Sequence, residues 1–408
     1  MRRVLVTGMS GLGRHDLFDH PLITGKIIHH DLGDQMRQIA LERRLPYSDS
    51  NILRASAAAL AALRAAAIER IFPSSRTASK GEGKPLVLSA HGLFLLTDRI
   101  AEGLTSADVA AVAPDLVLTL VDAPQRIHDR LKEHSGEYFH LTIESIVRWQ
   151  EFEVFFAHRL AQDRGVPHFV VPVTQPETYL ALVQGDKRPI VYASYPMTHL
   201  AEEKKPLVRE FVQRLQEKCI VFDPSAVEGA TMYKPYYSVQ DVRAIRNHTI
   251  VRDLDWFIGI NAQAVVAYWP ELVFSSGMND ELRYAYENGR ETFLVADIVG
   301  EGSIPTLSPF TTYKNKVFWS SQDFFDYLEL EPALQGAFLL MQREMMDVLQ
   351  GGETPTDEQF VRRCKNALMN ARPEGWLDAQ EGHLQALAVR VYARWVPAMK
   401  LLSGTATP

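Results

Sequence analysis

The chain has 408 residues, 46% of them hydrophobic and 23% charged, with a formal net charge of −7. This is the balance of a folded globular protein too long for one ordinary core, which argues for two domains and an appendage and excludes a fibrous repeat or extended disorder. The acidic balance, without a long basic run, lacks the positive footprint of a duplex-binding protein and leaves small anionic ligands to local sites.

The first predicted strand, Arg3 to Thr7, runs into a glycine-rich turn and then a segment that can become helix. Buried strands follow at Lys26–His30, Pro85–Ala90, Leu116–Asp122 and His168–Val173, with helical patterns such as Asn51–Phe72 and Ile143–Asp163 between them. Alternating strand and helix predicts a doubly wound parallel sheet. The polar stretch Gln184–Arg188 resets the pattern, and a new strand starts at Pro189–Ser194. Strands at Ile220–Phe222, Ala264–Trp269, Thr292–Ala296 and Lys316–Trp319 alternate with helices around Pro206–Glu217, Val239–Ile258 and Met278–Asn288, which predicts a second, flavodoxin-like sheet. From Ser321 the chain reads mostly helical. The expected organisation is therefore α/β, with two doubly wound parallel-sheet domains at 1–185 and 186–320 and a helical segment at 321–408.

Gly8-Met9-Ser10-Gly11-Leu12-Gly13-Arg14-His15-Asp16 occupies the place of a phosphate loop between strand and helix. Such a loop cradles phosphate with backbone N–H groups, a lysine and a magnesium-binding hydroxyl. Here arginine stands for lysine, and histidine with aspartate stands for the hydroxyl pair. Together with His30 to Met36, Leu86–His91, Pro114 to Val117, Asp122-Ala123-Pro124, Arg126, Arg130 and Trp149-Gln150-Glu151, the loop resembles the archaeal-type adenylate kinases and related P-loop nucleoside monophosphate kinases over residues 1–175. The departures are the loop changes, the lack of an acidic residue ahead of His91 and the lack of an arginine cluster in Leu131–Leu141. The resemblance implies a degenerate kinase-like domain, kept for scaffolding or ligand sensing, with Gly8, Gly11, Gly13 and Arg14 as its nucleotide-binding residues.

The second half carries Arg252-Asp253-Leu254-Asp255-Trp256, then a strand ending at Trp269, then Ser275-Ser276-Gly277-Met278-Asn279-Asp280-Glu281, with Ala285 and Gly289 beyond. The C-terminal ends of parallel strands are where such sheets bind ligands, and a helix N-terminus with Ser275, Ser276 and Gly277 suits a phosphate. Taken singly, Glu281 and Asp280 read as first-turn acids, Asp253 and Asp255 as a solvated helix face and Trp256 as core. In this order they resemble the nucleoside 2-deoxyribosyltransferase superfamily, most closely its nucleoside 5′-monophosphate N-glycosidases, over residues 188–297. The departures are Tyr195-Pro196-Met197 where the family has glycines and a longer loop between Trp269 and Ser275. The resemblance implies Glu281 as the nucleophile at C1′ and Asp253 as proton donor or base-orienting group. It implies Tyr192 and Ser194 beside the nucleoside, and Ser275 at the 5′-phosphate with Ser276 and Gly277. The implied reaction is hydrolysis of a (deoxy)nucleoside 5′-monophosphate to base and sugar phosphate, without a cofactor. Transfer of the sugar to another base, an active nucleotide kinase and a non-catalytic nucleotide sensor are the competing readings.

Other features are plainer. Cys219 and Cys364 have neither CxxC spacing nor further cysteines to pair with, which fits a reducing cytoplasm. The opening MRRVLVTG reaches glycine too soon for a secretory leader, and no apolar stretch of about 18 residues suggests a membrane span. His29-His30 and His134 with His140 lack further ligands at metal-site spacing, so no metal is expected. Tyr233, Tyr236 and Tyr237 with Lys234 read as a loop over the substrate, and the C-terminal helices as a packing or homo-oligomer element.

Overall fold

A computed structural model describes the chain apart from residues 48–51, 74–82, 97–99, 135–137, 139, 198–199, 229–236, 272, 274, 298–306, 372–375 and 403–408. The protein is α/β, with two five-stranded parallel sheets, helices between their strands and further helices at the C-terminus. It divides into two compact units, residues 1–188 with 222–262, and residues 189–221 with 263–408.

In the first unit β1 (Arg3–Thr7), β2 (Ile28–Asp31), β3 (Leu86–Ser89), β6 (Leu116–Val121) and β7 (His168–Pro172) form a sheet in the order β2-β3-β1-β6-β7. A short antiparallel hairpin, β4 (Leu93–Leu95) with β5 (Ile100–Glu102), stands beside it. Val4, Leu5 and Val6 have no exposure, and all six residues of β6 are buried, as expected of parallel strands covered on both faces. The helix Ile143–Arg164 covers this sheet and is set at both ends by its sequence. Thr142 accepts the Ser145 N–H at its start, and Gly165, at φ 65°, closes it in the left-handed conformation.

The helix Val239–Ile250 continues into a wider, π-type winding over Val251–Asn261. At its end the Asn261 side chain takes the place of a missing strand. Its Oδ1 accepts the Val170 N–H at 2.9 Å, and its Nδ2 donates to the Val170 carbonyl at 2.7 Å, on the outer edge of β7. These bonds, with the packing of Ile245 on Ile143 and Val147, group residues 222–262 with the first unit, whereas their position in sequence suggested the second. Asn261→Ala removes both partners from a buried peptide group. We expect it to cost the first unit about 2 kcal/mol, read as a lower urea midpoint, and an unchanged midpoint would deny the amide this role.

The second unit holds β8 (Ile190–Ser194), β9 (Ile220–Phe222), β10 (Ala264–Trp269), β11 (Glu291–Ala296) and β12 (Lys316–Phe318) in the order β12-β11-β10-β8-β9. Counted from β8 this is the flavodoxin-like order, whose topological switch point lies between β8 and β10. One face of the sheet presents Val191, Ala193, Val266 and Tyr268 to a core that also contains Phe338, Met341, Met345, Leu387 and Trp395 from the C-terminal helices. Those helices therefore share the core of the second sheet, where a separate segment was expected.

Candidate active site at the switch point of the second sheet

Strand alternation decides which side chains of β8 are available for chemistry. Val191 and Ala193 go to the core just described, which turns Tyr192 and Ser194 to the other face, paired in register with Val265 and Ala267 of β10. On that face lies the helix Ser276–Glu287, which buries Met278, Leu282 and Ala285 at helical spacing against β10 and β11. Glu281 is on the same side of this helix, and its carboxylate reaches β8. The Tyr192 hydroxyl donates to Oε1 at 3.0 Å and the Ser194 hydroxyl to Oε2 at 2.5 Å. Tyr192 and Ser194 have no exposure, whereas Glu281 is only partly buried. The result is a carboxylate oriented through both oxygens from the protein side, and still reachable, at the β8–β10 switch point.

Ser275 caps the helix by accepting the Met278 N–H at 3.3 Å. A hydroxyl that accepts this bond can still donate its own hydrogen, and a helix N-terminus favours an anion. Ser276 and Gly277 are exposed, and none of the described residues crowds Gly277. Tyr192, Ser194, Ser275, Ser276, Gly277 and Glu281 all belong to the second unit.

Asp253 belongs to the first unit. The carboxylate pair suggested by the sequence is thus not assembled within either unit alone. Asp253 is buried, and the Arg252 guanidinium holds both of its oxygens, at 2.8 and 3.0 Å. Burial raises its carboxyl pKa while Arg252 pulls the other way. Arg252 also approaches Glu228 at 3.6 Å, which makes Asp253 a member of an ion-pair cluster. Tyr233, Lys234 and Tyr236 lie outside the described residues.

In the first unit Gly8, Gly11 and Gly13 have φ of 147°, 81° and 72°, so the loop after β1 depends on glycine. A Cβ on Gly8 would lie 2.6 Å from the Leu12 side chain and 3.0 Å from the Leu120 carbonyl. Arg14 is already engaged. Its Nη2 lies 2.8 Å from Nε2 of His91. Arginine can only donate, so Nε2 accepts and Nδ1 carries the proton, which it donates to the Gly8 carbonyl at 2.7 Å. Arg130 donates to the carbonyl of Leu12 at 3.0 Å and to Asp122 at 2.7 Å, and it also reaches Gly11. The loop is thereby tied to the protein's own side chains by His91, Asp122 and Arg130. In the sequence these residues stand only as parts of the resemblance, and no motif there marks Glu153, which is fully buried and accepts the N–H groups of Gly92 and Leu93 at 3.0 Å each.

Among the described residues no group of three or more His, Cys, Asp or Glu could hold a metal ion, and no helix is long and apolar enough to cross a membrane. The chain matches no protein-family model, and no curated protein matches its sequence.

Proposed function

We propose that the second unit is an N-glycosidase that hydrolyses a (deoxy)nucleoside 5′-monophosphate, with Glu281 as nucleophile. The observation that carries this reading is the Glu281 carboxylate fixed by the Tyr192 and Ser194 hydroxyls at the sheet's switch point. Cleaving a C1′–N bond develops oxocarbenium character at the sugar, which an oriented carboxylate can trap. One Glu281 oxygen forms the bond to C1′ as the base departs with the C1′–N electron pair and takes a proton from solvent, a proton that the attacking water returns in the second step. Water then attacks C1′, releasing sugar phosphate and restoring the carboxylate. The two hydroxyl donors hold the side chain aimed, and the Ser275–Gly277 turn offers donors for the 5′-phosphate.

The test is to incubate the full chain with a panel of nucleosides and their 5′-monophosphates and follow free base by chromatography. Base release in step with sugar phosphate is expected from a monophosphate, and no release from any member of the panel would end the proposal. Ser194→Ala and Tyr192→Phe each remove one hydroxyl donor from the carboxylate and are expected to lower kcat by about a hundredfold, the usual cost of a misaimed reacting group. Full activity in both variants would mean that the hydroxyls do not aim the nucleophile. Exchange of labelled base into the nucleotide would instead indicate sugar transfer.

A further inference from the structure

Within the first unit, a cavity of about 240 Å³ is lined by the helices Leu32–Glu42 and Ala57–Ile71 and by the β4–β5 hairpin. Its walls are largely apolar, with Met36, Leu53, Leu60 and Phe94 among them. Set into these walls is Arg64, whose side chain is only 8% exposed. Its Nε donates to Oδ2 of Asp108 at 2.9 Å. That oxygen also accepts the Thr105 N–H at 2.9 Å and the Thr105 hydroxyl at 2.8 Å, so the pair is anchored at the start of the helix Ser106–Val112. The terminal nitrogens of Arg64 have no hydrogen-bond partner among the described residues, and Arg64 is one of the residues that line the cavity.

A guanidinium withdrawn from water with its terminal N–H groups unpaired is costly unless something completes it. Its fork matches two oxygens of a carboxylate or phosphate better than any single acceptor. The cavity's own carboxylates do not fill that role. Asp31 is occupied by the Asp34 N–H at 3.1 Å and the Ser89 hydroxyl at 2.8 Å, and Glu102 is exposed. The volume falls below the roughly 300 Å³ at which pockets for drug-sized ligands begin, so the body of the ligand is about the size of one ring.

We propose that this cavity binds a small organic oxyanion, a carboxylate or phosphate monoester on an apolar body, with its charged head on Arg64. The proposal does not depend on Glu281. Calorimetric titration of the full chain with benzoate, phenyl phosphate and benzyl alcohol tests it. At least one of the two oxyanions is expected to bind saturably, the neutral alcohol roughly tenfold or more weakly, and the tighter oxyanion identifies the head group. Arg64→Lys keeps a charge for Asp108 but loses the fork, and is expected to weaken binding by roughly tenfold or more. Leu60→Trp fills the cavity and keeps Arg64 and Asp108 in the sequence, and is expected to abolish binding in a chain whose melting shows that it still folds. If neither oxyanion binds, if benzyl alcohol binds equally well, or if Leu60→Trp binds undiminished, the site is not what we propose.

Discussion

Glu281→Gln is expected to lower base release by roughly a thousandfold or more while leaving the fold in place, because the amide keeps the shape of the side chain and loses the nucleophile. Tyr192 and Ser194 each present a rotatable hydroxyl to it. One can still donate to the amide oxygen and the other can turn to accept from its nitrogen, so the cost in stability is about 1 kcal/mol or less. The check is the single-turnover rate of base release, alongside thermal melts of both proteins. A melt near that of the parent with release gone is the expected pair of results. Release at the parental rate would remove Glu281 from the chemistry, and the role of Tyr192 and Ser194 would fall with it.

The sequence pointed to these residues through a family resemblance, and two simple periodicities account for their meeting. Strand alternation in Ile190–Ser194 puts Tyr192 and Ser194 on one face, and helical spacing from Met278 to Ala285 puts Glu281 on the side turned to the sheet. Asp253 was harder to read because the periodicity itself changes. Over Val251–Asn261 the wider winding brings consecutive side chains nearer in direction, so that Arg252 and Asp253 are buried together where a regular helix suggested a solvated face. Nor does an apolar helix face say which sheet it covers, and the assignment of residues 222–262 rests on the Asn261 amide meeting the edge of β7. The Arg64 cavity did leave a signal in the sequence. Arg64, alone amid the alanines and leucines of residues 57–67, implies an acid nearby, and that acid is Asp108. The β4–β5 hairpin left none, since strands of three residues carry too little alternation to stand out.

Acidification from pH 6.5 towards 4 is expected to unfold the first unit, because its enclosed histidines are held neutral. His168 and His248 are buried and His91 borders the cavity, and desolvation is the leading cause that lowers each from 6.5 to about 3. Hydrogen bonding agrees for His168, whose Nε2 meets Thr119 at 2.9 Å and whose Nδ1 lies 3.2 Å from Nδ1 of His158. An unfolded chain takes up these protons at about pH 6.5 and the folded one does not, so the stability they confer is complete above pH 6.5 and declines steadily towards pH 3. By pH 4 the loss is about 3 kcal/mol for each histidine. Glu153 works in the opposite sense. Burial raises it to about 7, so the folded state holds its proton first and gains about 3 kcal/mol as the pH falls from 7 to 4.5. The three histidines outweigh this one carboxyl, and the remainder is comparable with the whole stability of many domains, about 5 to 15 kcal/mol. Peptide-resolved hydrogen exchange in β1, β6 and β7 gives the acid midpoint of this unit. Because Nδ1 of His248 has no partner among the described residues, His248→Leu gives up no hydrogen bond at that atom and should move that midpoint to lower pH. An unmoved midpoint would mean that the unit resists acid by means other than its neutral histidines.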